Sequence, residues 1–515
     1  MKSKSIIIGS RGSQLALWQA NYIKDLLRDL GKNSEIKIIT TKGDQIQNLS
    51  FDKIEGKGFF TKEIEWALLN TDIDLAVHSL KDLETESPNG LFLGAVPIRE
   101  DVSDILLVNK NSVDPSNDLD LKTNAIVGTS SARRKNQLLL FREDLKINDL
   151  RGNVPTRINK LNDGFYDAIV LAKAGINRLN PEISQYHVVN LSPTIFIPAP
   201  SQGALGLQIR KGDRELKKLL NKINHKSSNE NVMFERAILK GIGGGCHSPM
   251  GAYSYKDQNG KRNTWVSYSD HVNQTPIRFY TSSNNADEVV DKVKKNSEGK
   301  KIWISRELTK ESIFKKILKN ANCIITPQSL IKKSILEIIK MPQCEWVFFN
   351  SAFCYDSIKN LKTELSKKKI AAFGNSTSKY LKKQGLKIDF EGEGSPENVA
   401  KSFKSVININ EVVFFPLSNR SIGTVQKMLS KDNKVIFQTY NTELKEKKIE
   451  LHDYYVFTSP SNVEAFFKSN SLKSLKAVSI GPSTTSSLRK KGVNNIVEAF
   501  ESSELALADV VISLL

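Results

Sequence analysis

Gly243–Gly244–Gly245–Cys246–His247 places one thiol on backbone that three glycines leave free to turn and to be approached closely. A thiol displayed this way can ionise and form a covalent bond, whereas a packed cysteine is a small inert hydrophobe. From these five residues alone both readings stand. Far upstream, Asp74 to Asp82 reads DLAVHSLKD, a buried-type strand ending in polar residues. Ligands in α/β sheets are handled at strand ends, and a carboxylate there, Asp82, can steady a developing cation or move a proton. It can equally cap a helix or pair with Lys81. His78, inside the strand, points inward and is structural. The arginines stand in short runs with glycine, serine and threonine. Arg11 and Ser13 lie in SRGSQ, Thr129, Ser131, Arg133 and Arg134 in TSSARR, and Arg151 and Arg157 in LRGNVPTR. A guanidinium fork grips a carboxylate through two hydrogen bonds. Three such runs ahead of one displayed cysteine imply a site that holds many negative charges.

The elements that must position these residues alternate short apolar strands with amphipathic helices. Ser5–Ile8 reads as a strand and Gly9–Ser13 as a turn, followed by a helix with Leu15, Trp18, Tyr22 and Leu26 along one face. Arg11 and Ser13 then sit at a helix N-terminus, where free N–H groups and the helix dipole receive anions. The same order recurs where Ala125–Gly128, a strand, runs through the TSSARR segment into a helix carrying Leu138 and Leu139. A chain of 515 residues divides into roughly three to five domains. Its four cysteines show no CxxC and no Cys/His ligand spacing, which predicts a reducing compartment and no metal. The opening MKSKSIIIGSRGSQ is neither a signal peptide nor a membrane span, so a cytoplasmic, soluble protein without a membrane partner is expected. The formal charge of +19 favours anionic ligands. Basic and aromatic residues do not interleave and no recognition motif appears, so nucleic acid is not among the expected partners. Lys367–Lys368–Lys369 reads as a solvated face.

Seven segments follow in one order. They are SRGSQLALWQA (Ser10 to Ala20), EGKGFFTKEIEWALL (Glu55 to Leu69), DLAVHSLKDL (Asp74 to Leu83), VGTSSARRKNQL (Val127 to Leu138), LRGNVPTR (Leu150 to Arg157), PAPSQGALG (Pro198 to Gly206) and GGGCHSPMGAY (Gly243 to Tyr253). From about Ile6 to the 290s the chain resembles hydroxymethylbilane synthase, also called porphobilinogen deaminase. That resemblance implies an enzyme joining four porphobilinogen molecules head to tail, with loss of ammonia, and releasing a linear tetrapyrrole by hydrolysis. It implies a dipyrromethane cofactor attached to Cys246 through a thioether. Asp82 would stabilise the cationic azafulvene and contact the pyrrole N–H groups. Arg11, Ser13, Lys81, Thr129, Ser131, Arg133, Arg134, Arg151 and Arg157 would hold acetate and propionate groups, and Lys57 would lie on a lid segment. The implied fold is multidomain α/β. Residues 1–98 and 197–222 would form one domain like those of periplasmic binding proteins and 99–196 a second, with a small α+β domain over 223–300 carrying the cysteine. Pro155, Gly243 and Leu83–Glu84 depart from the family pattern, where glycine, glutamate and Val–Pro are usual.

Beyond about residue 300 the chain contains an internal repeat. Lys369 to Thr377, KIAAFGNST, is echoed by Lys476 to Thr484, KAVSIGPST, and each copy continues into a helix closing at a glycine, Gly385 or Gly492. Upstream of them stand the similar strands EWVFFNS (Glu345 to Ser351) and YYVFTSP (Tyr454 to Pro460). Two α/β domains of like design are expected, with strand-to-helix turns rich in serine and threonine that can bind carboxylates or merely cap helices. YVFTSPSNVEAFF (Tyr455 to Phe467), AVSIGPSTTSSLRKKG (Ala477 to Gly492), FQTYNT (Phe437 to Thr442) and ISR (Ile304 to Arg306) resemble uroporphyrinogen-III synthase. That family inverts the last ring of the linear tetrapyrrole and closes the macrocycle without metal or organic cofactor. By this resemblance Tyr440 would assist loss of the hydroxyl, and Ser459, Ser461, Asn462, Thr484 and Thr485 would bind propionates. An outer domain would comprise 301–330 and 441–515, with 331–440 inserted. The whole then reads as a bifunctional, monomeric enzyme of tetrapyrrole synthesis, a transferase followed by a lyase. A deaminase with a non-catalytic appendage and a non-enzymatic anion-binding module are the alternatives.

Overall fold

A computed structural model describes residues 5–41, 61–243, 248–294, 298–421, 423–471 and 474–515. Two sheets of one design open the chain. In the first, strands run in the order Ser34–Ile38, Ile6–Ser10, Leu75–Ser79, Leu205–Arg210, Leu91–Ala95. In the second the order is Lys146–Asn148, Ile126–Gly128, Ala168–Ala172, Asp104–Asn109, Tyr186–Leu191. In each, four strands run in one direction and the one fourth in line is antiparallel to them. Those two antiparallel strands, Asp104–Asn109 and Leu205–Arg210, are the ones that follow the crossings between the sheets. Both crossings therefore end inside the sheets and cannot drift from them.

The first strand extends two residues past the expected Ile8, because Gly9 and Ser10 continue its parallel pairing with Lys37 and Ile38. The helix Gln14–Asp29 is capped by Ser13, whose hydroxyl accepts from the Ala16 N–H at 3.3 Å. Its buried face is Gln19, Ala20, Ile23 and Leu27, not the expected Leu15, Trp18, Tyr22 and Leu26. The small and branched residues fit against the sheet, Tyr22 and Leu26 border the same core, and Trp18 turns toward the neighbouring domain. Trp18 stays 38% exposed, stacks on Tyr22 at 5.6 Å, and lies 5.7 Å from the Arg178 guanidinium on the second domain's helix Lys173–Leu179. An apolar stripe at helical spacing can face a partner domain as readily as a core.

The third unit is an antiparallel meander, Met250–Lys256, Arg262–Tyr268 and Ile277–Thr281, with helices Lys226–Ile242 and Ala286–Lys294. Its long helix ends at Gly243 with φ of +80°, a left-handed position that glycine adopts without strain and glutamate does not. Glu235 on that helix is fully buried and holds Arg99 through two bonds of 2.8 and 2.9 Å while accepting from the Ser201 N–H at 2.7 Å. One carboxylate thus clamps both crossing segments to the third unit.

The remaining chain forms two further sheets. The outer one is wholly parallel, in the order Ile324–Pro327, Lys301–Ile304, Tyr454–Phe457, Ala477–Ser479, Ile496–Glu498. The other contains Ile331–Ile335, Lys434–Leu444, Val413–Ser418, Trp346–Phe349, Lys369–Ala372 and Phe390–Glu391. The repeated segments occupy matching places, each a strand followed by a helix, Asn375–Lys383 or Pro482–Lys490, with Gly385 and Gly492 at φ of +83° and +79° just beyond. Residues 441–444, placed with the outer domain from the sequence, pair with Ile331–Ser334 in the inner sheet. Antiparallel pairing with Ile331–Ile335 carries that strand on to Leu444 before the chain returns to the outer sheet. The third unit and the outer sheet share one apolar core. Val266, Phe279 and Val290 from the former meet Ile304, Phe314 and Val511 from the latter.

Candidate active site

The strand Leu75–Ser79 ends in a single 3-10 turn, Leu80–Asp82, which sets Lys81 and Asp82 at the carboxyl edge of the first sheet. This turn is pinned from two sides. The Leu80 N–H donates to the Ala204 carbonyl at 2.9 Å. From the long helix of the third unit, Arg236 donates to the carbonyls of Leu80 at 3.3 Å, Leu83 at 3.0 Å and Glu84. The Leu83–Glu84 departure leaves these contacts intact because they use backbone oxygens. His78 is buried against Gln208 at 3.2 Å, and burial pushes its imidazole down to about 4. It is a neutral core residue, as its place in the strand implies.

Lys81 reaches across to the second domain through Gln202, whose Oε1 accepts from Nζ at 3.4 Å and whose Nε2 donates to Asp104 at 3.0 Å. Asp104 heads its strand, is fully buried, and binds Arg133 at 2.8 Å and Arg134 at 2.7 Å. Burial alone would raise its carboxyl, but the two guanidiniums overcome burial and hold it well below the usual carboxylate range. Arg133 also donates to the Ile197 carbonyl at 2.8 Å and lies 5.9 Å from the Phe196 ring, so its fork is shared with the return crossing. Arg134 donates to the Val170 carbonyl at 3.0 Å, and its buried Nε has no hydrogen-bond partner among the described residues.

Arg157 joins the same field. Burial, with Arg134 and Arg151 nearby, pulls it down to about 10 against the opposing influence of Asp82. Burial likewise lowers Lys81 to about 8, with Asp82 and Asp104 opposing and Arg134 and Arg133 adding to the shift. The structure therefore brings Lys81, Asp82, Arg134, Arg151 and Arg157 into one electrostatic neighbourhood spanning both domains. Ser13, Thr129 and Ser131 serve local turns. Ser131 caps the helix Ala132–Phe141, and the Thr129 hydroxyl accepts from the Ser131 N–H at 3.2 Å. Arg11 is half-buried in the turn before the first helix. Pro155 lies in the first turn of the helix Val154–Asn162, where its missing N–H costs nothing. Lys57 and Cys246 lie outside the described residues. A cavity of about 550 Å³ beside the crossings shares no residue with this cluster; of its charged lining residues Arg99 is paired with the buried Glu235, Lys173 with Asp101, and Glu100 accepts from Asn177.

In the second half Ser459 caps the helix Pro460–Ser469 and accepts from Asn462 Nδ2 at 3.0 Å, with Ser461 half-buried in the first turn. Asn462 in turn accepts from the Leu330 N–H at 2.9 Å, so it fastens this helix to the link between the two sheets. Thr485 is engaged with Ser479 at 2.6 Å, the Gly481 carbonyl and Glu498, whereas the buried Thr484 hydroxyl has no partner among the described residues. Tyr440 belongs to the other sheet. Its hydroxyl is 3.8 Å from Cys354 Sγ and its ring 4.9 Å from Phe353. Burial, reinforced by Cys354, pushes the phenol well above its ordinary range. A phenol kept protonated can donate to a departing hydroxyl and is no base near neutrality.

Residues 6–218 match the family model described as porphobilinogen deaminase, dipyromethane cofactor binding domain, and residues 319–509 match uroporphyrinogen-III synthase HemD. A porphobilinogen deaminase of Clostridium novyi is 49% identical over 252 residues, 48% of this chain and 82% of its own length. One from Maridesulfovibrio salexigens is 45% identical over 278 residues, 54% of this chain and 88% of its own. The chain belongs to the porphobilinogen deaminase family. A mutant uroporphyrinogen III synthase from the extremely thermophilic bacterium Thermus thermophilus is 14% identical with a TM-score of 0.31, covering 42% of this chain and 99% of its own, a likeness too weak to add to the family-model match.

In the deaminase half, the donor set fits a group bearing several carboxylates. Arg134 has a buried Nε with no partner among the described residues, Lys81 and Arg157 both lie within electrostatic reach of Asp82, and Arg151 stands near Arg157. Asp104, Gln202 and Arg236 were not singled out from the sequence. Asp104 stood as an acid heading the apolar run DILLV, and Gln202 stood inside PAPSQGALG. Arg236 gave no local signal.

Two outcomes follow. The lowered Lys81 value means its ammonium is present below about pH 8 and lost above it. With porphobilinogen as substrate, kcat/KM should fall above about pH 8, and Lys81→Arg should remove that fall while keeping the charge. An unchanged fall in Lys81→Arg assigns it elsewhere. Asp104→Asn leaves two buried guanidiniums uncompensated and should cost about 3–5 kcal/mol in denaturant unfolding.

Proposed function

We propose that the chain performs two consecutive steps of tetrapyrrole synthesis. The first half converts four porphobilinogen molecules and one water into hydroxymethylbilane with release of four ammonia molecules, and the second closes the product, with loss of water and inversion of the last ring, to uroporphyrinogen III. What carries this reading is the cationic cleft around a single carboxylate, in a deaminase-family half joined to a synthase-family domain.

Dipyrromethane bound through Cys246 supplies the fixed terminus on which the chain of pyrroles is extended. Every other role falls to residues of this protein. Each pyrrole brings two carboxylates, so Lys81, Arg134, Arg151 and Arg157, with Arg11 at the opposite turn, serve as counter-charges for the cofactor and substrate. Arg133 orders Asp104 and the crossing as well as adding to the field. Asp82 is the anion that steadies positive charge as ammonia leaves and accepts the pyrrole N–H groups. Ser13, Thr129 and Ser131 shape the anion-receiving turns, and Lys57 reaches the substrate from its own segment. In the second half Tyr440 donates its proton to the departing hydroxyl. Ser459, Ser461 and Thr484 receive propionates, Asn462 holds the cap of that turn, and Thr485 orders the adjacent one.

The protein acts as a monomer in the cytoplasm. Cys323, Cys344 and Cys354 are buried thiols, which suits a reducing compartment, and among the described residues no helix is long and apolar enough to cross a membrane.

Protein made in porphobilinogen-replete cells should carry a mass excess of two pyrrole units that Cys246→Ala abolishes. Asp82→Asn should lower deaminase turnover by about two to four orders of magnitude. Supplied with porphobilinogen, the wild type should form uroporphyrinogen III, and Tyr440→Phe should shift the product toward isomer I. An unmodified, inactive wild type contradicts the first activity, and isomer I alone contradicts the second.

A further inference from the structure

The last helix, Glu504–Leu514, reads ELALADVVISL, and every residue from Leu505 to Ile512 is buried. A helix apolar on all sides must be covered on all sides. One side packs against the outer sheet's strand Ala477–Ser479 and helix Ile313–Asn320, and another against Ile277–Thr281, a strand of the deaminase's third unit. Asp509 interrupts the apolar run at complete burial. Its two oxygens accept from Arg278 Nε at 2.8 Å and Nη2 at 2.9 Å. Arg278, also wholly buried, donates from Nη1 to the Ile195 carbonyl at 2.6 Å and from Nη2 to the Thr194 carbonyl at 2.9 Å. Thr194 and Ile195 lie on the chain as it leaves the second domain for the first. One guanidinium therefore joins three parts of the molecule, and the carboxylate that neutralises it comes from the other enzyme.

Two more contacts repeat the theme. Phe500 sets its ring 5.5 Å from Trp265 and 5.2 Å from Tyr280 on the third unit's sheet, and Lys316 pairs with Glu143 of the second domain at 2.8 Å. The third unit's own helices do not fill this place. Lys226–Ile242 packs on the first strand, Met250–Lys256, and Ala286–Lys294 packs on that helix, while the last strand takes the C-terminal helix.

We propose that the C-terminal helix of the synthase half is a working part of the deaminase, completing the core of its third unit and, through Asp509 and Arg278, positioning that unit against the second domain. The claim rests on the deaminase reading for its catalytic consequence and on geometry alone for the shared core. Asp509 and Arg278 are positioning residues. A displaced third unit would present the growing chain to Asp82 in the wrong place, which lowers kcat more than it alters porphobilinogen binding.

The test uses the full-length holoenzyme with a protease site replacing Glu298–Gly299–Lys300, between the third unit and the outer sheet, cut after folding. The cut wild-type halves should co-elute on size exclusion and keep the uncut deaminase turnover. Asp509→Asn should let the cut halves part and, in the uncut chain, lower deaminase kcat about tenfold to a hundredfold with KM for porphobilinogen unchanged. Asp509→Glu should restore part of both. Cut wild-type halves that separate with deaminase turnover intact overturn the proposal. So does Asp509→Asn that alters only the synthase, assayed directly with hydroxymethylbilane. Should Asp509→Asn not fold, the cut wild type alone decides. An uncut wild type without deaminase activity would instead overturn the functional reading and leave the co-elution result standing.

Discussion

Asp104 is the charge on which the first half is organised. Two guanidiniums side by side in a dry interior repel each other and lose their hydration, and a single carboxylate between them makes the pair tenable. Because that carboxylate heads the strand leaving one crossing, and Gln202 on the other crossing bonds to it, the neutralised cluster sits where the two domains exchange chain. Lys81 is drawn into the same network through Gln202, which ties the turn carrying Asp82 to the arginines of the second domain. The rest of the cleft inherits its geometry from this arrangement.

The balance of charge is chemically specific. Among the described residues of this neighbourhood, Lys81, Arg134, Arg151 and Arg157 outnumber the acid Asp82, which suits a ligand rich in carboxylates. Lys81 and Arg157 are depressed first by burial and further by the guanidiniums beside them, so these cations are already held together before an anion arrives. That is preorganisation: the field is built during folding and needs no rearrangement when charge develops. Glu235 and Arg236, adjacent on the long helix of the third unit, couple the same geometry to that unit. One clamps the crossings and the other the Asp82 turn.

Much of this was legible in the sequence because the relevant signals are local. The arginine runs, the strand ending at Lys81–Asp82 and the repeated strand-turn-helix of the second half each declare themselves within a dozen residues. What escaped were partnerships between distant parts. Nothing near Asp104 indicates that Arg133 and Arg134 will spend their forks on it, and nothing near Arg236 indicates that it will grip three carbonyls around residue 82. The aromatic stripe of the first helix stands out in its spacing, yet Trp18 serves a domain contact and Tyr22 only borders the core that Ala20 and Ile23 fill. Among the second-half candidates, Ser459, Asn462 and Thr485 are bonded within the protein while the buried Thr484 hydroxyl has no partner among the described residues, a distinction that side-chain type alone does not carry.

The two halves are not beads on a tether. They share an apolar core and a buried ion pair, so their relative placement is fixed by the same forces that fold each one. The central claim nevertheless concerns the cleft, and a crystal structure of the full chain purified from porphobilinogen-replete cells examines it most directly. The account predicts density continuous from the Cys246 sulfur into the cleft, pyrrole nitrogens on the Asp82 carboxylate, and ring carboxylates on Arg134, Arg151 and Arg157. Pyrroles bound away from Asp82, with those arginines paired only within the protein, would contradict it.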